Sequence, residues 1–180
     1  PDGWSPTEFG TLLDTVEPDL VHIFGTEFPH SLAMVHACLA RDTKFVVSIQ
    51  GLVSVYAKHY TVGLPARVQF RYTMRDILRL DNVRKQEAKL SRRGQLEVRA
   101  LAKSKQVVGR TEWDRTCVAR INPLANYHHC YENLRPEFFS DQWDFRKCTP
   151  YTLFVSQGSY PIKGLHLLLE GLAEVSREFP

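Results

Sequence analysis

No apolar run in this chain of 180 residues approaches the roughly 20 residues that a helix needs to cross a bilayer. The first residues, Pro1 to Trp4, also lack the basic flank and apolar core of a signal peptide. The cysteines are widely spaced and form no Cys-x-x-Cys pair: Cys38, Cys117, Cys130 and Cys148. This spacing argues against a disulfide framework and against a zinc site. We therefore expect reduced thiols in a cytoplasmic protein.

The composition is that of a globular protein, with 43% hydrophobic and 24% charged residues, which is enough to build a packed core. The net charge of +3 is unevenly distributed. Between Arg67 and Lys105 there are twelve basic and four acidic residues, so this stretch carries +8 and the remainder −5. The basic stretch is therefore the main electrostatic feature of the chain.

Strand and helix patterns alternate along the chain. Apolar runs at 20–24 and 45–49 are typical of strands buried on both faces, and the helical spacing at 31–39 between them predicts one β-α-β unit. Further strands are predicted at 106–109, 126–130 and 151–155, and further helices at 7–16, 67–80, 84–102, 112–121 and 162–179. The alternation predicts an α/β fold with a parallel sheet.

Three stretches of the chain, in their order and spacing, resemble the retaining GT-B glycosyltransferases of family four. They run from Glu17 to Gly25, from Phe45 to Gly51 and from Leu153 to Gly164, the last followed by the 168–172 stretch. The resemblance implies one GT-B half, a Rossmann-like parallel sheet with flanking helices that is truncated at both ends. It divides the chain into a partial acceptor-binding domain, an interdomain linker and the first strand and helix of a donor-binding domain, at residues 1–130, 131–150 and 151–180.

The implied reaction moves a sugar from a nucleotide-sugar donor to a saccharide or lipid-linked saccharide acceptor, with retention of configuration and without a metal or other cofactor. The resemblance places Lys163 at the donor diphosphate and the Ser156-Gln157-Gly158 loop beside it. A helix beginning at Pro161 would aim the amides of 158–163 at the anion, and Lys163 would stabilise charge on the departing phosphate. The alternative is a solvated lysine. Residues 1–180 alone are expected to be inactive, because the family's donor-sugar motif would follow them.

Two positions depart from the family pattern. Gln50 stands where the family commonly has a histidine near the reaction centre, and Gln157 stands where it usually has an arginine. Glutamine keeps the hydrogen bonding of these residues but loses the ionisable group. We interpret both as marks of a divergent subfamily in which Gln50 and Lys163 are the catalytic candidates.

Other candidates follow strand ends, where open α/β sheets place ligands. The predicted acceptor contacts are Glu27, His30, Tyr56 and His59. Arg110 and Thr111 are predicted to face the interdomain cleft. His22 lies within an apolar strand, so we expect a core histidine bonded to neighbouring backbone. His128 and His129 are not expected to bind a metal together, because adjacent strand residues point to opposite faces.

The basic stretch allows a different function. Arg67, Arg71, Arg75 and Arg79 recur every four residues and would form one stripe on a helix that has an apolar side. Such a helix suits an anionic membrane surface, which makes residues 67–105 a candidate contact and the inner face of the membrane a candidate location. The alternatives are the solvated face of a core-packed helix and, for the whole protein, a nucleotide-sugar epimerase of the same architecture. Nucleic-acid binding is not expected, because no recognised module accompanies the charge.

Overall fold

Four short parallel strands form the sheet: β1 Val21–Phe24, β2 Phe45–Ser48, β3 Gln106–Gly109 and β4 Asn126–His129. The structure, a computed structural model, describes residues 5–79, 81–140 and 142–179. Three predicted boundaries lie outside these residues: the two domain boundaries at Pro1 and Pro180, and the end of a predicted helix at Leu80. The strands stand in the order β1-β2-β3-β4, so each one pairs with the next in sequence. The predicted α/β class with a parallel sheet and flanking helices is confirmed.

The helices have the following bounds: α1 Pro6–Val16, α2 Pro29–Ala40, α3 Val53–Tyr56, α4 Ala66–Gln69, α5 Met74–Arg79, α6 Val83–Leu101, α7 Glu112–Ile121, α8 Glu137–Ser140 and α9 Leu165–Glu178. Single 3-10 turns occur at Ala57–His59, Phe145–Lys147 and Pro161–Lys163. The predicted strands at 20–24, 45–49, 106–109 and 126–130 are thus confirmed. The predicted helices at 7–16, 31–39, 84–102 and 112–121 are confirmed to within two residues.

Helices α2, α6 and α7 pack on one face of the sheet. Each connection steps to the next strand in the same direction, and right-handed crossovers of this kind leave their helices on the same side. The main core accordingly joins one row of strand residues to the helices: Ile23, Val47 and Val107 with Val35 of α2, Leu101 of α6 and Val118 of α7. A smaller cluster holds α1 on α2 through Leu13, Ala37 and Cys38.

The opposite face of the sheet is largely open within the described part of the chain. Phe24 is 63% exposed, and His22 and His128 are exposed as well. The prediction that the first strand is buried on both faces is therefore wrong, because the direction of the crossovers leaves that face without a layer. His22 is not a core histidine either, since its Nε2 lies 2.6 Å from the Ser48 hydroxyl on the open face.

A buried carboxylate fixes the crossing of α6 with α3. Glu97 is fully buried, and its Oε1 accepts hydrogen bonds from the Ser54 amide at 2.9 Å and the Ser54 hydroxyl at 2.6 Å. Its Oε2 accepts from the Val53 amide at 3.0 Å and the Thr26 hydroxyl at 2.9 Å. The residue before α3 is Leu52, which offers no side-chain cap. Glu97 thus caps α3 from another helix and also holds the loop after β1.

Glycine at position 94 permits this crossing. A Cβ on Gly94 would lie 2.6 Å from the Ser54 Cα, a distance that real Cβ contacts essentially never show. Backbone atoms of α3 occupy that space, so they cannot swing away as the end of a side chain would. The close approach brings Ser54 within reach of Glu97, one turn further along α6.

The predicted helix at 67–80 is wrong as a continuous element. It consists of α4 and α5, with residues 70–73 between them. Thr73 starts the second helix, because its Oγ1 accepts from the Asp76 amide at 3.2 Å and its own amide donates to the Asp76 carboxylate at 2.9 Å. The four arginines therefore do not form a stripe on one helix.

The predicted strand at 151–155 is also wrong. These residues form no strand, and Leu153 and Phe154 are 59% and 88% exposed. A strand needs a partner for its backbone groups, and none of the four described strands pairs with this segment. The helix predicted at 162–179 is confirmed as α9 but starts later, because Gly164 has a φ of 74° that interrupts it after the 3-10 turn.

We predict opposite effects for alanine at two helical glycines. Gly94→Ala should lower the free energy of unfolding by about 1–3 kcal/mol, because the overlap with α3 outweighs the gain in helix propensity. Gly171→Ala in α9 is the matched control, since a Cβ there meets nothing within 4 Å. It should raise stability by about 0.5–1 kcal/mol. Urea denaturation of both variants measures the difference. A Gly94→Ala protein as stable as the Gly171→Ala protein would contradict the close approach.

Candidate functional site

The carboxyl ends of the parallel strands meet at one edge of the sheet, where α/β proteins place ligands. The loop after β1 carries Glu27, the loop after β2 carries Gln50, the loop after β3 carries Arg110, and the loop after β4 carries Glu132. Adjacent pairing of all four strands brings these loops side by side. We call this edge, with its four loops, the carboxyl edge.

Arg110 joins three of these loops. Its Nη2 donates to the Gln50 carbonyl oxygen at 2.6 Å, and its Nη1 lies 2.7 Å from Oε1 of Glu132. The Arg110 side chain is 37% exposed and that of Glu132 is 63% exposed, so water screens the ion pair and its energetic contribution is small. The guanidinium thus positions the loops and places a positive charge at the centre of the carboxyl edge.

Gln50 is the candidate that this arrangement leaves open to a ligand. Its carbonyl is held by Arg110, whereas its side chain is exposed and makes no hydrogen bond with the described residues. The amide offers two donor hydrogens and one acceptor oxygen, a set that matches a sugar hydroxyl or a phosphate. The structure thus brings Gln50 and Arg110 together.

Thr111 caps the helix that follows its loop. Its hydroxyl accepts from the Asp114 amide at 3.0 Å, and the Asp114 carboxylate accepts from the amides of Thr111 and Arg110, both at 3.1 Å. This capping box starts α7. Tyr127 donates to the Thr111 carbonyl at 2.9 Å, and burial raises the pKa of this tyrosine. Thr111 therefore fixes the loop that carries Arg110, and the Thr-x-x-Asp spacing is the sequence signal of this cap.

Tyr56 forms a stacked pair with Trp113, a residue that the sequence analysis missed. The ring centroids are 5.9 Å apart and the planes differ by 9°. Tyr56 lies against Gly51, where a Cβ would approach the ring to 3.0 Å. Both rings are partly exposed, so α3 and α7 together offer aromatic surface at residues that follow the ends of β2 and β3. The available signal was an aromatic residue in the first turn of a helix that follows a strand.

Glu27 and His30 form a separate group in the loop after β1. The Glu27 carboxylate accepts from the Thr26 amide at 3.1 Å, and the His30 ring stacks on Phe28 at 5.2 Å. The Arg93 guanidinium lies over the other ring of this stack, 5.0 Å from the Phe28 centroid. The structure thus adds Arg93 of α6 to this group. No hydrogen bond or ion pair in the described ranges connects the group to Arg110 or Gln50.

His59 lies on the exposed 3-10 turn after α3, and its ring makes no hydrogen bond with a described residue. The next residue, Tyr60, points inward and donates to Oε1 of Gln86 at 2.6 Å. Burial raises the pKa of Tyr60 to about 12, so this hydroxyl stays protonated at neutral pH. The turn is therefore anchored through Tyr60, and His59 is left on the surface.

The predicted donor residues lie in an exposed segment. Ser156, Gln157, Gly158 and Lys163 are all exposed. The amides of residues 158–163 were expected to be free to bind an anion. For Lys163 this is wrong, because its amide donates to the Tyr160 carbonyl at 3.0 Å within a 3-10 turn. The start of α9 is fixed instead by Gly158, which packs on Leu165, and by the His166 Nε2, which lies 3.1 Å from the Val62 carbonyl. No hydrogen bond or ion pair of a described residue joins Lys163 to Gln50 or Arg110.

Two open surface pockets lie away from Gln50 and Arg110. One, of about 400 Å³, lies between α1 and the loop before β2, where Arg41 and Asp14 form an ion pair. A groove of about 470 Å³ runs between α7 and β4, lined by Arg115, Tyr127 and His128 among others. Among the described residues, no group of three or more His, Cys, Asp or Glu is placed to hold a metal ion. No described helix is both long and apolar enough to cross a membrane.

Comparison of the chain with protein-family models, curated proteins and solved structures gave no match. The four cysteines are free thiols, two of them exposed.

We predict that Arg110→Gln loosens the segment after β4 without unfolding the sheet. Amide hydrogen exchange at residues 130–135 should rise up to about fivefold, because an exposed ion pair contributes about 1 kcal/mol or less. Arg115→Gln is the matched control, since Arg115 pairs with Glu112 inside one helix turn and joins no loops. Equal exchange in both variants would contradict the bridging role of Arg110.

Proposed function

We propose that this protein is a glycosyltransferase that moves a sugar from a nucleotide-sugar donor to a saccharide or lipid-linked saccharide acceptor, with retention of configuration. The observation that carries the proposal is the order along the chain of the three stretches that resemble the family, two of which lie at strand ends. The first two belong to β1 and β2, which are adjacent and parallel, so their loops open at the same edge. This placement is what an acceptor site built from both motifs requires.

The acceptor is proposed to bind at Gln50 and the Tyr56–Trp113 pair. A sugar ring presents hydroxyls at its rim and an apolar face. The carboxyl edge offers the Gln50 side-chain amide, which has no hydrogen-bond partner among the described residues, and the partly exposed rings of Tyr56 and Trp113. Arg110 adds a fixed cation close to Gln50, which suits an acceptor or donor that carries phosphate. Glu27 and His30 remain proposed contacts to a more distant part of the acceptor.

The donor diphosphate is proposed to meet Lys163 and the first amides of α9. The first amides of a helix lack intrahelical acceptors and attract anions, and Gly164 leaves no side-chain cap at this end. Ser156, Gln157 and Gly158 would provide hydrogen bonds in the loop that packs on the helix start. Because negative charge grows on the leaving phosphate during transfer, a cation placed there accelerates the reaction rather than merely binding the donor.

We predict that Lys163→Ala in the complete natural chain lowers kcat/KM for sugar transfer by about 10²–10³-fold, the loss expected when one stabilising contact to a developing anion is removed. Lys147→Ala, also an exposed lysine in a 3-10 turn, is the matched control and should stay within about twofold of the wild type. The assay follows release of the nucleoside diphosphate from a panel of nucleotide sugars with oligosaccharide acceptors. Unchanged turnover in Lys163→Ala would contradict the proposed role of Lys163 at the donor diphosphate.

The same assay without acceptor distinguishes the proposed glycosyltransferase from the alternative, a nucleotide-sugar epimerase. A nucleotide-sugar epimerase needs no acceptor and would convert the donor into its epimer, which NMR of the donor sugar detects. A glycosyltransferase leaves the donor sugar unaltered in that control and transfers it once an acceptor is added. Epimer formation with donor alone would replace the proposed function by this alternative.

A further inference from the structure

Residues 66–79, here called the arginine segment, expose nearly all their apolar side chains. The segment comprises α4, α5 and the four residues between them. Met74 is 75% exposed and Leu78 is 81% exposed. The other exposed apolar side chains are Val68, Phe70, Tyr72 and Ile77. Neither helix of the segment has a buried residue, so the alternative of a core-packed helix with one solvated face is wrong.

The amphipathic side of α5 faces outward. Met74, Ile77 and Leu78 have the i, i+3, i+4 spacing that places side chains on one side of a helix. In a helix that packs on its own domain this side is buried, but here all three side chains are exposed and the half-buried residue is Asp76. An apolar surface of this extent in water is unfavourable and marks a surface that meets a partner.

The same segment carries four unpaired cations. Arg67, Arg71, Arg75 and Arg79 make no ion pair with any residue in the described ranges. The single acidic residue, Asp76, is occupied by Thr73, whose hydrogen bonds lower the pKa of that carboxyl. The segment therefore carries a net charge of +3 beside its exposed apolar side chains, and α6 adds further basic residues later in the sequence.

We propose that the arginine segment binds the surface of an anionic bilayer, with Met74, Ile77 and Leu78 in the headgroup boundary and the arginines on lipid phosphates. Positive charge together with exposed apolar side chains favours an anionic bilayer as the partner, because a bilayer interacts with both. Nucleic acid would use the arginines and leave the apolar side of α5 in water. A second copy of the chain would bring like charges together. The inference stands apart from the proposed function, since lipid binding requires no transfer reaction.

The test is co-sedimentation of the chain with vesicles of phosphatidylcholine alone or with about 30% phosphatidylglycerol, at about 50 mM and about 500 mM salt. Binding is expected with the anionic vesicles at low salt, weakly or not at all with the neutral ones, and much less at high salt. Equal binding to both vesicle types, or no binding to either, would overturn the proposal.

Two sets of substitutions separate charge from apolar contact. The first replaces Met74, Ile77 and Leu78 by serine, and the second replaces the four arginines by glutamine. Each set should weaken anionic-vesicle binding at least tenfold, because each surface arginine alone is worth about fivefold. Circular dichroism should show an unchanged fold, since all seven side chains are exposed.

Matched controls come from other surfaces of the chain. Leu167, Leu169 and Val175 of α9 are also exposed, by 50%, 55% and 53%, and their serine variants should bind like the wild type. Glutamine at Arg115, Arg120, Arg146 and Arg177 removes the same charge elsewhere and should weaken binding far less. If both sets of controls lose as much affinity as the arginine-segment variants, net charge and general hydrophobicity explain the binding and the proposal fails.

Two further readouts identify a different partner. Binding of a duplex RNA that depends on the four arginines, together with no vesicle binding, would assign the segment to nucleic acid and overturn the proposal. Concentration-dependent self-association that the serine set abolishes, again without vesicle binding, would assign it to a second copy of the chain.

Discussion

The positions of α3 and of the loop after β1 depend on hydrogen bonds to the Glu97 carboxylate. It is fully buried and forms no ion pair with a described residue, a state that costs several kcal/mol unless its oxygens accept hydrogen bonds. Four donors fill them, from Thr26, Val53 and Ser54. A four-residue helix after Leu52 has no cap of its own and is too short to persist alone. The position of α3 is therefore imposed by α6, through Glu97 and the close approach at Gly94.

This dependence reaches the candidate site through α3. Gln50 and Gly51 lie just before α3, and Tyr56 is its last residue. The position of α3 therefore determines where Gln50 meets Arg110 and where Tyr56 meets Trp113. Thr26 connects the same carboxylate to the loop after β1. The carboxyl edge is thus organised by a polar contact from the helix layer, and the Arg110 bridge adds a weaker, exposed link across the three later strand ends.

The elements that the sequence predicted correctly are those whose information is local. Apolar runs identified β1 to β3, and helical periodicity identified α2, α6 and α7. The Thr-x-x-Asp caps at Thr73 and Thr111 are equally local signals. The cap at Thr73 starts α5 as a separate helix, and for this reason the prediction of one helix with an arginine stripe was wrong. The strand at 151–155 failed for another reason, since a strand depends on a partner that a short apolar run cannot reveal.

Features set by long-range topology could not be predicted from local pattern. Glu97 is one acidic residue in a strongly basic helix and reads as a surface residue, because its partners lie 43 to 71 positions away in sequence. The open sheet face at His22 and Phe24 follows from strand order, which an alternation of elements does not specify. The stack of Tyr56 on Trp113 likewise requires that β2 and β3 be neighbours. Residues that follow strand ends could be predicted as a group, but not which of them touch.

The most direct measurement is amide hydrogen exchange at Val53 and Ser54. If the Glu97 carboxylate fixes α3, these two amides exchange as slowly as those of the core strands at Val47 and Val107, and Glu97→Gln accelerates them selectively. The amides at the end of α4, another four-residue helix but with no buried cap, exchange fast in both proteins. Exchange at Val53 and Ser54 as fast as in α4 would contradict the account.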